Sequence, residues 1–256
     1  MNNAYQLSVV IPVLNNMQQF SQLLQKLIAY NQTEMEIIVI DGGSSDGTID
    51  IIKQYEEHIS YWESGRDKGI ADAFNRGIEY AQGQIVAILN SDDYWQDDTL
   101  QHVFAAFKAV PDADIYYGDL QFVDEQKNTR YIKKPNLKRM KYRMNIFHPA
   151  MFISKKAYQK IGLYSLDYHY AMDSEWCHRA LEAGLNFHYI PHVLTSMRLG
   201  GVSDIHFKKS MTEYKRSVIA HHLAAPVQAS AYYYFFLLMR YLMNNHLIWT
   251  IVRKLS

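Results

Sequence analysis

The sequence predicts an α/β fold, a mainly parallel sheet flanked by helices, with a C-terminal helical appendage. Three observations carry that prediction. LSVVIPV, EIIVID and QIVAIL are short, continuous apolar runs rich in β-branched residues, the mark of strands buried on both faces. Between them lie stretches whose apolar residues recur three and four apart, the helical period. The two patterns alternate at roughly 25 residues per unit, as parallel strands joined by crossover helices require.

Taken in order, Leu7–Val13 reads as the first strand, followed by a helix through Phe20, Leu23, Leu24, Leu27 and Ile28. Glu36–Asp41 is the second strand and ends in GGSSDGT, a loop of turn formers. Asp46 or Thr48 is placed to cap the next helix, through Ile49, Ile52 and Tyr55. A short strand at Ile59–Trp62 leads through the loop SGRDKG to a helix with Ile70, Ala73, Phe74 and Ala81 on one face. Gln84–Leu89 is a further buried strand running straight into NSDD, and Asp97, Asp98 and Thr99 read as the cap of the helical stretch that follows. The second half is less regular. DIYYGDLQFVD and MFIS suggest strands, and a helix from about Asp173 to Ala183 finds its stop in Gly184. Beyond about Phe207 the chain reads as helical and aromatic, which divides it into a unit over residues 1–205, with halves 1–95 and 96–205, and an appendage over 206–256.

Composition bounds the function. The 256 residues carry 26 Lys and Arg against 26 Asp and Glu, which argues against a nucleic-acid partner. Apolar residues at 48% are ample for a core. One cysteine, Cys177, excludes an intrachain disulfide and a cysteine-based zinc site. No charged leader precedes the first apolar run, and AYYYFFLLMRYLMNNHLIWTIV is interrupted by Arg240, Asn244, Asn245 and His246, so it reads as not spanning a membrane. The expected location is the cytoplasm.

In open α/β sheets, ligands bind beyond the carboxyl ends of the strands. Pro12–Asn15, Asp41–Asp46 and Asn90–Asp93 are three such ends carrying polar groups. Three ends converging on one crevice form a site, whereas any one alone is weak evidence. The Asp41–Gly47 loop taken singly also reads as an ordinary Asp/Gly turn, and neither a Walker loop nor GxGxxG is present. Asn90-Ser91-Asp92-Asp93 is the sharpest signal. Two adjacent carboxylates at the tip of a buried strand repel each other unless a cation neutralises them. Hard divalent ions such as Mn²⁺ or Mg²⁺ take oxygen ligands, commonly one or two carboxylates plus substrate phosphates, so Asp92 and Asp93 are expected to hold a metal and a diphosphate.

The series SVVIPVLN, IIVIDGGSSDGT, SGRDKGIADAFNRG, LNSDD and MDSEWCHRALEAG resembles family-two nucleotide-sugar glycosyltransferases of the GT-A fold, with its Rossmann-like sheet. Within that family it is most similar to bacterial enzymes that assemble capsule, exopolysaccharide and O-antigen units. The likeness covers roughly residues 5–205. It implies inverting transfer of a sugar from a nucleoside diphosphate, a UDP-sugar by preference, to a saccharide or lipid-linked acceptor. It also implies residue roles. Pro12, Val13 and Asn15 edge the nucleotide pocket and Asp41 meets the base. Arg66, Asp67 and Lys68, with Asp72 and Asn75, lie near ribose and diphosphate. Asn90, Ser91 and Asp92 complete the donor site, with Asn90 standing where the family's DxD motif usually has its first Asp. Asp173 matches the catalytic Asp, although Met172 replaces the usual preceding residue, and Trp176 and Arg179 follow it. Gly200-Gly201-Val202-Ser203 resembles a loop near the donor.

The chemistry agrees with this assignment. A sugar hydroxyl needs a base to take its proton as the new bond forms, which Asp173 would supply. Lys68 or Arg198, with the metal, would offset charge on the leaving diphosphate. His148 in FHPAMF and Trp176 are candidate acceptor contacts with Arg179. Each of the first two is equally readable as structural: a hydrogen-bonded histidine beside a proline turn, and a core aromatic. RYIKKPNLKRMKYR, residues 130–143, has seven Lys or Arg and no acid. With Tyr232, Tyr233, Tyr234, Phe235, Phe236 and Trp249 it suggests attachment to the cytoplasmic face of the inner membrane. Packing of the C-terminal helices on the protein itself, or on a second copy in a homo-oligomer, is the equal alternative. A non-catalytic nucleotide-sugar binder of the same fold also stays open.

Overall fold

The computed structural model describes residues 6–30, 34–124 and 126–244. Its centre is one sheet of nine strands. Four parallel strands form one side: β1 (Leu7–Val13), β2 (Met35–Asp41), β3 (Tyr61–Ser64) and β4 (Ile85–Ile88), in spatial order β3-β2-β1-β4. Helices α1 (Met17–Ile28), α2 (Thr48–Gln54) and α3 (Ile70–Tyr80) make the connections. The continuous apolar runs have a direct cause. Val9, Ile11, Ile37 and Val39 point into one core layer, while Val10, Ile38 and Ile40 point into the other. Helix α3 lies so close to β1 that a Cβ on Gly77 would stand 2.2 Å from Val10 Cγ1.

The rest of the sheet continues β4-β8-β6-β9-β5. β8 (Met151–Ser154) is antiparallel to both β4 and β6 (Ile115–Val123), and β9 (Phe187–Arg198) runs parallel to β6. β5 (Tyr94–Trp95) pairs with β9 at Ser196 and Thr195, and β7 (Thr129–Lys133) pairs with the second half of β6. β9 has no clean sequence signal because Pro191 and two histidines interrupt it and the register with β6 shifts on either side of Asp119. Gly118 lets the chains meet there, since a Cβ would lie 2.5 Å from the Leu194 side chain.

Helix α4 (Thr99–Ala109) begins where expected but is not capped as expected. Asp97 pairs with Lys26 at 3.0 Å, Asp98 faces His102 at 3.2 Å, and the Thr99 hydroxyl donates to the Leu194 carbonyl. Asp46 does cap α2, accepting the Thr48 N–H at 3.0 Å. After β8 come α5 (Lys155–Ile161) and α6 (Met172–Glu182), and after β9 the single turn α7 (Val202–Ile205), which covers part of the expected donor loop at Gly200–Ser203.

The C-terminal segment is α8 (Phe207–Ala220) and α9 (Pro226–Asn244), while Trp249 lies outside the described residues. α8 packs on α6, and Tyr214 and Val218 bury against Ala171 and Ala229. No helix among the described residues is long and apolar enough to cross a membrane.

Candidate active site

Three loops meet at the carboxyl end of the parallel strands. After β1, Asn15 adopts φ +48° and donates its N–H to Ser44 Oγ at 2.7 Å, while its Oδ1 accepts the Ser45 N–H at 2.8 Å. Asn16 Nδ2 donates to Ser91 Oγ at 2.7 Å. The loops after β1, β2 and β4 are thus stitched into one rim, with Pro12 and Val13 buried at its floor. Asp41 is fully buried at the tip of β2. Its Oδ2 accepts from the Gly43 and Ser44 N–H groups at 3.0 Å and from Ser64 Oγ at 2.5 Å, but its Oδ1 is buried without a partner among the described residues. An unsatisfied carboxylate oxygen is expensive, and a donor on a bound base would relieve it.

Beyond β3, Arg66 and Lys68 are exposed. Asp67 turns its Oδ1 onto the Gly69 N–H at 2.9 Å, and Asp72 Oδ2 accepts the Lys68 N–H at 3.2 Å, so both acids shape the loop that presents the cations. Asn75 is not part of this presentation. Its amide donates to the Tyr164 carbonyl and accepts the Tyr164 N–H, each at 2.8 Å, which makes it a brace for the loop between α5 and α6.

At the tip of β4 the two acids diverge. Asp92 is exposed, and no described residue pairs with it. Asp93 is buried, with Asn90 Nδ2 3.2 Å from its Oδ2 and the Arg198 backbone also against it. Burial pushes the Asp93 carboxyl well above the usual carboxylate range, and the charge of Asp92 adds to that. Asp93 therefore props the turn from within, and of the two acids expected to hold a cation only Asp92 is exposed at the tip of β4. Among the described residues no cluster of three or more metal-ligating side chains occurs. One open carboxylate fits an ion that takes most of its oxygens from a diphosphate and water.

Asn90 also links the two halves. Its Nδ2 lies 3.0 Å from His148 Nε2, and His148 Nδ1 lies 3.5 Å from Asp173 Oδ2. An amide nitrogen can only donate, so His148 Nε2 accepts and the ring proton sits on Nδ1, facing the Asp173 carboxylate. The His148 ring is held from below by Phe74, 5.4 Å between centroids. Its backbone is held because the Pro149 carbonyl accepts from Trp95 Nε1 at 3.2 Å and from Thr195 Oγ1 at 2.6 Å. His148 and Asp173 side chains are 12% and 20% exposed, so the pair faces the cleft without lying open.

Asp173 sits in the first turn of α6, where its Oδ1 accepts the Ser174 N–H at 2.7 Å. The chain entering that turn is gripped from α8. Glu213 accepts the His169, Tyr170 and Ala171 N–H groups at 3.1, 2.7 and 3.0 Å. Trp176 and Arg179 are turned the other way. Trp176 is fully buried and donates to the Gly162 carbonyl at 2.9 Å, so it cannot stack on a sugar. Arg179 spends its guanidinium on Glu175 and on the Ile161 and Leu163 carbonyls, which removes it from the acceptor contacts as well. His221, at the end of α8, bridges Glu182 at 2.7 Å and Glu175 at 3.2 Å.

Asn16, Glu213 and His221 carry no motif, and the partners their side chains take lie 39 or more residues away in sequence, so only the fold reveals them. The residues ahead of Asp173 gave no hint of Glu213, because the grip comes from a later helix.

Comparison with known proteins gives the family. The family model described as Glycosyl transferase family 2 matches residues 8–162. A PGL/p-HBAD biosynthesis glycosyltransferase of Mycobacterium bovis (strain BCG / Pasteur 1173P2) is 30% identical over 170 residues, 65% of this chain and 66% of the relative. The putative teichuronic acid biosynthesis glycosyltransferase TuaG of Bacillus subtilis (strain 168) is 36% identical over 99 residues, 37% of this chain and 38% of the relative. The chain thus spans just under two thirds of the length of the mycobacterial relative. Among solved structures, S. aureus TarS 1-349 in complex with UDP superposes with a TM-score of 0.68 at 18% identity, covering 91% of this chain and 70% of that one. The mannosyltransferase PcManGT from Pyrobaculum calidifontis, in complex with GDP-Man and Mn²⁺, gives a TM-score of 0.66 at 19% identity, covering 89% and 69%. These two likenesses are of fold.

Proposed function

The chain belongs to glycosyl transferase family 2 and is a glycosyltransferase of the GT-A fold, and from that premise we propose an inverting, metal-dependent enzyme of surface-polysaccharide synthesis with Asp173 as its base. The observation that carries the reading is the bridge Asn90–His148–Asp173, which joins the donor-side tip of β4 to a carboxylate on the acceptor side. A nucleoside-diphosphate sugar lies along the rim of Asn15, Ser91 and Asp41, with UDP the preferred nucleotide. The support for that donor class is that TarS is solved with UDP and PcManGT with GDP-Man. Arg66 and Lys68 face its phosphates, and Asp92 would hold Mn²⁺ or Mg²⁺. When bound, such an ion supplies charge stabilisation to the departing diphosphate.

Asp173 removes the proton from an acceptor hydroxyl as its oxygen bonds the anomeric carbon, and the carbon–oxygen bond to the diphosphate breaks with its electron pair leaving on phosphate. Attack opposite the leaving group inverts the centre. The Nδ1–H of His148 keeps the carboxylate aimed, so the acceptor proton has one place to go. The acceptor is a saccharide on a lipid diphosphate, and the enzyme works at the cytoplasmic face of the inner membrane, a reading supported by the basic run of residues 130–143 and the exposed aromatics of α9. TuaG, named for teichuronic acid biosynthesis, supports the polysaccharide context. In this reading residues 1–205 form the catalytic unit and α8 braces it from outside.

Asp173→Asn tests the assignment. Nucleotide binding by calorimetry should be unchanged while transfer falls by ~10²–10⁴-fold. Equal turnover in the variant refutes the base.

A further inference from the structure

A groove of about 590 Å³ separates the segment after β7 from α9. On one side stand Arg139, Tyr142 and Arg143, and on the other Tyr232, Phe235 and Phe236. The volume lies within the range of ligand pockets. The lining has two characters. Arg139 and Arg143 are exposed, and among the described residues no carboxylate pairs with either. Lys133 lies close enough that burial and these two guanidinium groups hold its ammonium below the usual lysine value. The opposite wall is aromatic. Phe235 is 53% exposed, and the Tyr142 and Tyr232 rings meet edge-on at 4.2 Å to close one end.

We propose that this groove binds the anionic lipid portion of the acceptor, its phosphate or diphosphate on Arg139 and Arg143 and its hydrocarbon against Tyr232, Phe235 and Phe236. Guanidinium groups take phosphate oxygens in charge-assisted pairs, and apolar rings take the chain. The proposal rests on the lipid-linked acceptor of the reading above. Position supports it. Met144, next to Arg143, touches Ser174 Oγ through its sulfur at 3.2 Å, and the Ser174 N–H bonds Asp173. The segment that carries Arg143 is thus tied through its neighbour Met144 to the first turn of α6, the turn that carries Asp173. Charge also selects among occupants. Residues 245–256 of this chain carry Arg253 and Lys254 and no acid, so their side chains would add cations to a rim that already lacks anions.

The test titrates the full chain with geranylgeranyl diphosphate below its micelle concentration, with inorganic pyrophosphate, with geranylgeraniol, and with phosphatidylcholine vesicles with and without phosphatidylglycerol. The lipid diphosphate should bind about tenfold or more tighter than pyrophosphate or the alcohol, needing both halves of the groove. Arg139→Ala with Arg143→Ala should weaken it about tenfold. Phe235→Ala with Phe236→Ala should weaken the lipid and leave pyrophosphate unaffected. Near-ultraviolet dichroism of each variant checks folding, and both pairs are surface changes. The proposal is overturned if pyrophosphate binds as tightly as the lipid, if the arginine variant keeps full affinity, or if only anionic vesicles bind. A parallel titration with UDP and with GDP separates the two readings. Binding of neither UDP nor GDP sinks the glycosyl-donor reading, whereas nucleotide binding without lipid diphosphate binding sinks the groove alone.

Discussion

Asn90 stands where an Asp is usual, and its chemistry follows from that one exchange. A carboxylate there would lie against Asp93 and would accept a proton from His148 Nε2 instead of giving one. The amide donates to both neighbours, which turns the other ring nitrogen of His148, Nδ1, toward Asp173. His148 then acts through Asp173. His148→Ala should lower kcat about tenfold, less than the ~10²–10⁴-fold that losing the base itself would cost, while KM for the donor stays the same. A raised donor KM with kcat unchanged would instead place His148 in ground-state donor binding. At this scale the sequence was readable where chemistry leaves a pattern, as in two adjacent acids after a buried strand. It was not readable for Trp176, Arg179 and Asn75, which occupy motif positions but satisfy carbonyls of residues 161–164. Residue type cannot say which way a polar side chain faces when its partner is brought by another element.

At the level of elements, the position of Asp173, the proposed base, depends on the seam between α6 and α8. Glu213 holds three N–H groups ahead of α6, and a negative charge at a helix start is favoured by the helix dipole. His178 lies inside this seam, its Nδ1 2.7 Å from Ser217 Oγ. Burial lowers its pKa from 6.5 to about 4, with the His221 charge adding to the shift and the Met140 backbone and Asp173 opposing it. The native state thus resists a proton that the unfolded chain accepts. Its contribution to stability is complete above pH 6.5 and is lost as pH falls toward 4. Denaturant midpoints measured across that interval should fall with pH, and His178→Gln should flatten the slope. An unaltered slope in the variant would assign the loss to other groups. The parallel strands were legible because both faces are buried, which leaves unbroken apolar runs. β7 and β9 were not, because β7 is exposed and β9 alternates exposed and buried positions irregularly.

For the whole molecule, the two C-terminal helices do different jobs although the sequence presents them as one aromatic tract. α8 is braced into the catalytic unit by Glu213, by Ser217 against His178, by His221 on two glutamates, and by Tyr214, whose hydroxyl donates to the Met140 carbonyl. α9 buries Ala229 and Tyr233 on α8 and leaves Val227, Tyr234, Phe235, Leu238 and Tyr241 facing outward. Two truncations separate these roles. A chain ending at Ala225 retains every brace on α6, so it should bind UDP and hydrolyse donor like the full chain while failing to float with anionic vesicles. A chain ending at Ile205 removes Glu213 along with α8, so the three N–H groups lose their acceptor and the loop before Asp173 is no longer fixed. With the packing of Tyr214 and Val218 on Ala171 also lost, its unfolding midpoint should drop and transfer should fall well below that of the longer truncation. Equal transfer from both would show that Asp173 is positioned by residues 1–205 alone, and flotation of the Ala225 chain would move the membrane contact to the basic run of residues 130–143.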